Sequence, residues 1–68
     1  MTFTATAVLP YDNLERATAG LRGRLRLMVA DRNPEALPDW STLVVTGPTT
    51  TKDARGNTWF EWVGTVDI

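Results

Sequence analysis

From Thr2 to Leu9 apolar and polar positions alternate, with Phe3, Ala5, Ala7 and Leu9 on one side and Thr2, Thr4, Thr6 and Val8 on the other. Alternation with period two, rich in threonine and valine, marks a strand with one buried face, and Pro10 closes it. After Asp12 the period changes. Leu14, Ala17, Leu21, Leu25 and Met28 recur at helical spacing, with Thr18 and Val29 in the same sector and Leu27 the one large apolar residue outside it. Gly20 and Gly23 project to the opposite, polar side. Asp12 with Glu15 three positions later has the form of a capping box, each side chain able to satisfy an orphan backbone donor. Arg22, Arg24 and Arg26 toward the end complement the helix dipole. This spacing predicts a helix over residues 12–30. The same residues also fit a competing structure. Leu21, Gly23, Leu25, Leu27 and Val29 face one way as a strand, the three arginines the other, after a short helix capped by Gly20. The long helix is the favoured reading and the strand its alternative over 21–30.

Asn33-Pro34 ends any helix, because proline pushes its predecessor out of helical backbone, and Pro38-Asp39-Trp40 makes a second turn. Residues 41–47 read as a second strand and Thr58 to Ile68 as a third. Between them the polar stretch Pro48 to Asn57 reads as an extended hairpin loop. The third strand places Phe60, Trp62, Val66 and Ile68 on one face and Trp59, Glu61, Val63, Thr65 and Asp67 on the other. It is the most apolar strand and belongs in the centre. The expected fold is α+β, strand-helix-strand-strand, with a three-stranded antiparallel sheet of order 1-3-2 and a right-handed crossover. The helix packs Leu14, Leu21, Leu25 and Met28 on one sheet face, against Phe3, Leu9, Leu43, Val45, Phe60 and Trp62. The other face is left open to solvent or to a partner.

Size sharpens this picture. The 68 residues make one small domain, 1–68, and a chain of this length buries only ~60% of the surface its unfolded form exposes. With 43% apolar and 22% charged residues it is globular rather than disordered. Domains this small commonly lean on a disulfide, a metal or a partner chain. There is no cysteine and no histidine, so no disulfide forms and a zinc or iron–sulfur site lacks its usual ligands. Association with a protein partner or a second copy becomes the expected supplement, with no cofactor. No apolar run is long enough to span a bilayer, and Met1-Thr2-Phe3-Thr4 does not read as a secretory signal, so the expected location is the cytoplasm. Catalysis has little to build on. The commonest general base and the thiol nucleophile are missing, Lys52 sits in the predicted loop, and Gly20-Leu-Arg-Gly23 lacks the spacing of a phosphate loop. Asp12 and Glu15 are explained by capping, and Glu61 and Asp67 by the solvent side of a strand. The chain is therefore not expected to be an enzyme.

Two surface features remain. Arg16, Arg22, Arg24, Arg26 and Arg32 make up five of the seven basic residues. Guanidinium groups grip phosphate or carboxylate with two prongs, so Arg22, Arg24 and Arg26 are candidate anion-binding residues, on nucleic acid or on an acidic protein. Opposing this, the net charge is −1 and no nucleic-acid-binding motif is present; the plainer reading is a solvated helix face balanced by Glu15, Asp31 and Glu35. Among the three tryptophans, Trp62 belongs to the core face and Trp40 follows a turn. Trp59 lies on the opposite sheet face, expected near Val44 on the neighbouring strand and Val63 on its own, and these three form the candidate partner-binding patch. Its plainer reading is a half-exposed aromatic at a strand end.

The Thr/Ala-rich first strand, arginine in preference to lysine, and the turns Ala36-Leu-Pro-Asp-Trp, Thr46-Gly-Pro-Thr and Ala54-Arg-Gly-Asn give the chain a style. In that style it resembles small orphan accessory proteins of phages of high-GC actinobacteria, including mycobacteriophages. The resemblance implies an early protein that binds a host target in the host cytoplasm, or a small virion component. The function expected is thus a non-enzymatic protein–protein interaction module that binds a partner through the open sheet face or self-associates as a homodimer. The alternatives are a nucleic-acid-binding module using Arg16 to Arg32 and a structural or virion assembly subunit.

Overall fold

A computed structural model describes residues 1–68. The element order is β1 (Thr2–Leu9), α1 (Leu14–Arg32), β2 (Asp39–Lys52) and β3 (Thr58–Asp67). The three strands form one sheet of order β1-β3-β2, and β3 is antiparallel to both neighbours. This is the expected strand-helix-strand-strand α+β fold. Its logic is visible in the β1–β3 register, where Phe3 faces Val66, Ala5 faces Gly64, Ala7 faces Trp62 and Leu9 faces Phe60. Every pair in that series sits beneath the helix. Small residues stand opposite Trp62, which fills the centre of the core at 1% exposure, and Phe60 packs beside it with ring centroids 6.2 Å apart. Ile68, expected on this face, is instead exposed.

Residues 21–30 lie within a single helix, so the strand alternative falls, and with it the flat row of arginines. Gly20 and Gly23 project into open space, as their place on the polar side requires. Two details differ from the expectation. The N-cap is Asn13, whose side chain accepts a hydrogen bond from the Arg16 backbone N–H at 3.1 Å, rather than Asp12 in a box with Glu15. Asparagine and aspartate cap equally well, and Asn13 wins because the helix begins at Leu14. The buried stripe is Ala17, Leu21, Leu25 and Val29, while Leu14 is 58% exposed and Met28 is also exposed. An i, i+4 row is inclined to the helix axis, and burying this one carries Leu14 and Met28 to opposite flanks. The helix crosses β3 closely at Gly64, where an added Cβ would come within 3.2 Å of the Leu21 Cδ1.

The second strand is longer than expected. It runs through Pro48 to Lys52, leaving only residues 53–57 as the hairpin loop instead of Pro48 to Asn57. Proline is tolerated there because β2 is an edge strand whose outward amide needs no partner. The strand is irregular, with register shifts between Asp39 and Val44 and between Thr46 and Thr49. At the second shift Gly47 has φ of +120°, and a Cβ there would meet the Glu61 carbonyl oxygen at 2.7 Å, so only glycine fits. The helix packs on β1 and β3, and the β2 side of the core is filled by half-buried Ala36, Trp40, Leu43 and Val45.

Candidate functional site

The sheet face turned away from the helix is a ladder of cross-strand rows. From one end, Thr2, Asp67 and Asp39 form the first row, Thr4, Thr65 and Val44 the next, and Thr6, Val63 and Thr46 the third. Val8, Glu61 and Thr49 follow, and the last row is Trp59 with Thr51, beyond the end of β1. Thr2, Thr4, Thr6, Thr46, Thr49 and Thr51 are all exposed, as are Val8 and Val44. The ionisable groups in these rows are Asp39, Glu61 and Asp67, all acidic. The Asp67 carboxylate accepts a 2.6 Å hydrogen bond from the Thr2 hydroxyl, which ties the outer strand to the centre. No element of the chain covers these rows, because the one helix lies on the other side.

Trp59 sits on the overhanging end of the β2–β3 hairpin, half-buried. Its indole N–H donates to a carboxylate oxygen of Asp53 at 3.0 Å. The other Asp53 oxygen accepts from the backbone N–H groups of Arg55 at 2.9 Å and Asn57 at 3.0 Å. These donors, the Trp59 indole first among them, hold the Asp53 carboxyl below its ordinary range. Asp53 thus does two jobs from one side chain: it closes the loop as an Asx turn, and it fixes the plane of the Trp59 ring. Sequence reasoning missed this clamp. The signal available was an Asp four residues before an Asn inside a loop ending at an aromatic strand residue.

The three candidate partner-binding residues share this face but are not gathered into one patch. Val63 belongs to the third row, while Val44 pairs with Thr65 and Trp59 with Thr51. Six positions along β3 separate the last two rows, ~20 Å at the rise of a strand. The expected neighbourhood of Trp59 and Val44 is therefore corrected. β2 continues to Lys52, which pairs with Thr58, so Thr51 stands opposite Trp59 and Val44 falls seven residues further back along the strand.

The arginines are also dispersed. At about 100° per residue, Arg22 and Arg26 lie on one flank of α1 and Arg24 on the other. Arg22 is engaged within the fold, its guanidinium carbon 4.7 Å from the centroid of the Trp40 ring. Arg16 donates to the Tyr11 hydroxyl at 3.1 Å and lies over that ring. What the helix presents is a diffuse positive surface, on the side of the molecule opposite the acidic rows. No three or more Asp or Glu side chains converge in a way that would hold a metal ion, and no helix is long and apolar enough to cross a membrane. No protein-family model matches the chain, nor does any curated protein or solved structure.

Proposed function

We propose that the chain is a protein–protein interaction module whose uncovered sheet face receives a partner, with Trp59 as its aromatic anchor. The observation that carries this is the Asp53 clamp on the Trp59 indole at 3.0 Å. A large aromatic held in one orientation loses little entropy on binding, which is what makes such residues anchors. The rest of the face suits an extended partner rather than a compact knob: its apolar residues are strung along ~20 Å of β3. Glu61, Asp39 and Asp67 favour a partner that is neutral to basic. The arginine surface supports the second reading, nucleic acid, less well, because its guanidinium groups point to different flanks and Arg22 is stacked on Trp40. In the phage setting suggested by the style of the sequence, the partner is a host protein, and the chain acts as an accessory protein.

The test is affinity capture with the wild-type chain, Trp59→Ala and the double variant Arg24→Ala/Arg26→Ala, in parallel at low and high salt. The reading predicts a captured protein that is lost with Trp59→Ala, kept by the double variant and only modestly weakened by salt. Captured nucleic acid that falls away steeply with salt, and is lost only in the arginine variant, would support the alternative instead.

A further inference from the structure

We propose that the outer edge of β1 pairs antiparallel with the same strand of a second copy, making a two-fold dimer with one continuous six-stranded sheet. This surface is the strand edge and not the sheet face, so the inference stands independently of the role of Trp59.

The two edges of the sheet are built differently. β1 is bonded on one side only, by β3, and its register runs without a bulge from Thr2 opposite Asp67 to Leu9 opposite Phe60. The strand Thr-Phe-Thr-Ala-Thr-Ala-Val-Leu holds no charge and no proline. A straight, uncharged edge with its outward amides and carbonyls free is a template for another strand, and proteins that stay monomeric usually blunt it. The β2 edge is blunted in three ways: Pro48 lacks an N–H, the register breaks twice, and Lys52 closes the strand. Pairing through β1 alone therefore stops at two copies instead of propagating into a fibre.

The helix supplies a second, independent observation. Met28 and Asp31 share a shallow groove with Thr2, Phe3 and Thr4, which identifies the flank of α1 that overlooks the β1 edge. Arg22, stacked on Trp40, marks the opposite flank. Along the edge-facing flank lie Arg16, Gly20, Arg24, Leu27 and Asp31. Leu27, the most exposed of the large apolar residues of the helix, is 73% exposed there.

Register follows from the faces. For both copies to keep their helices on one side, paired residue numbers must share parity, which puts the two-fold axis at Ala5 or Thr6. The groove sets Phe3 level with helix residues 28–31. Thr6 is ~10 Å further along the strand and thus level with about seven residues back along the helix, near Gly23 and Arg24. An axis through Thr6 runs the two helices antiparallel, with their axes ~10–14 Å apart, two to three strand spacings. Leu27 then meets the partner's Gly20, a position with open space around it, and Asp31 meets the partner's Arg16. The apolar misfit gains a glycine surface, and the charges are complementary. Arg24 comes near its own copy, the one unfavourable contact, and its long side chain is free to turn to solvent.

The chain has no cysteine, so a single introduced one reports the axis cleanly. Under mild oxidation Thr6→Cys should form a disulfide-linked dimer, while Thr46→Cys, on the same sheet face but on β2, should stay monomeric in a denaturing gel. Sedimentation across roughly 1 to 100 µM should show a concentration-dependent dimer. Thr6→Lys, which sets like charges opposite one another at the axis, should raise its dissociation constant about tenfold or more. Leu27→Asp should weaken it from the helix side, at a residue the monomer does not bury. Trp59→Ala should leave the dimer intact, which separates failure of this proposal from failure of the binding-face reading. A monomer throughout that range would overturn the proposal, as would a dimer that cross-links through Thr46→Cys or survives both Thr6→Lys and Leu27→Asp.

Discussion

Replacing Gly23 with alanine adds one methyl group in the middle of α1, at a position with no neighbouring atom within 4 Å of the new Cβ. The substitution removes backbone freedom from the unfolded chain and makes no new clash, so the expected gain is the full helix-propensity difference, ~1 kcal/mol. For a domain of this size that corresponds to a rise of ~4–8 °C in Tm. Gly64→Ala adds the same methyl where the helix crosses the sheet, 3.2 Å from the Leu21 Cδ1 and 3.4 Å from its Cβ. Leu21 is fully enclosed and has nowhere to swing, so this variant should lose ~1–3 kcal/mol to overpacking. Thermal unfolding followed by far-ultraviolet circular dichroism, at one fixed protein concentration, reads both changes. The opposite signs are the point of the pair. A lower Tm for Gly23→Ala would mean that the residue faces the interior, as in the strand alternative. A higher Tm for Gly64→Ala would mean that α1 does not lie over β3 as described.

Asn13→Ala should cost ~1 kcal/mol through loss of the helix cap, whereas Asp12→Ala should be nearly silent; equal losses in denaturant unfolding would restore the capping-box reading. The Asp53 carboxyl titrates lower in the folded hairpin than in the open chain, so its contribution is complete above the ordinary carboxylate range and fades as pH falls through the depressed value. The indole N–H resonance of Trp59 should therefore move below about pH 4, and Asp53→Asn should abolish that movement; a resonance that titrates identically in the variant would place its cause elsewhere. Val29→Ala, at a fully enclosed site, should cost ~2–4 kcal/mol, and a cost near zero would show that the helix ends before it.

The first strand, the central position of the third and the order 1-3-2 were legible because alternation and apolar content report burial directly. The helix was harder. Its two glycines cost only ~1 kcal/mol each, and Leu27 breaks its stripe, so the pattern of residues 21–30 fitted a strand nearly as well. What settles the matter is the packing of Leu21, Leu25 and Val29 over Gly64, Trp62 and Val66, a tertiary fact with no local signature. The second strand was read short because Pro48 and three threonines resemble a loop, and only its place at the sheet edge makes the proline tolerable. The candidate patch failed for a related reason. With Pro48 to Lys52 in the strand rather than in the loop, Thr51 pairs with Trp59 and Val44 with Thr65, so the loop read too long is what placed Val44 beside Trp59. The Asp53 clamp escaped because it joins a loop side chain to a strand side chain across a turn whose length was itself misjudged.

The sheet has one face sealed by the helix and one face free, and the two tryptophans on opposite faces of β3 test that directly. Unfolding of Trp62→Ala and Trp59→Ala should be compared side by side with the wild type. Trp62 is 1% exposed at the centre of the core, and its truncation should cost ~3–5 kcal/mol, a large share of the ~3–10 kcal/mol expected for a domain of this length. Trp59→Ala should lose its contact with Asp53 and loosen the hairpin tip, yet leave the cooperative transition close to that of the wild type. If Trp59→Ala unfolds the protein as readily as Trp62→Ala, both faces are buried and the proposed binding surface does not exist.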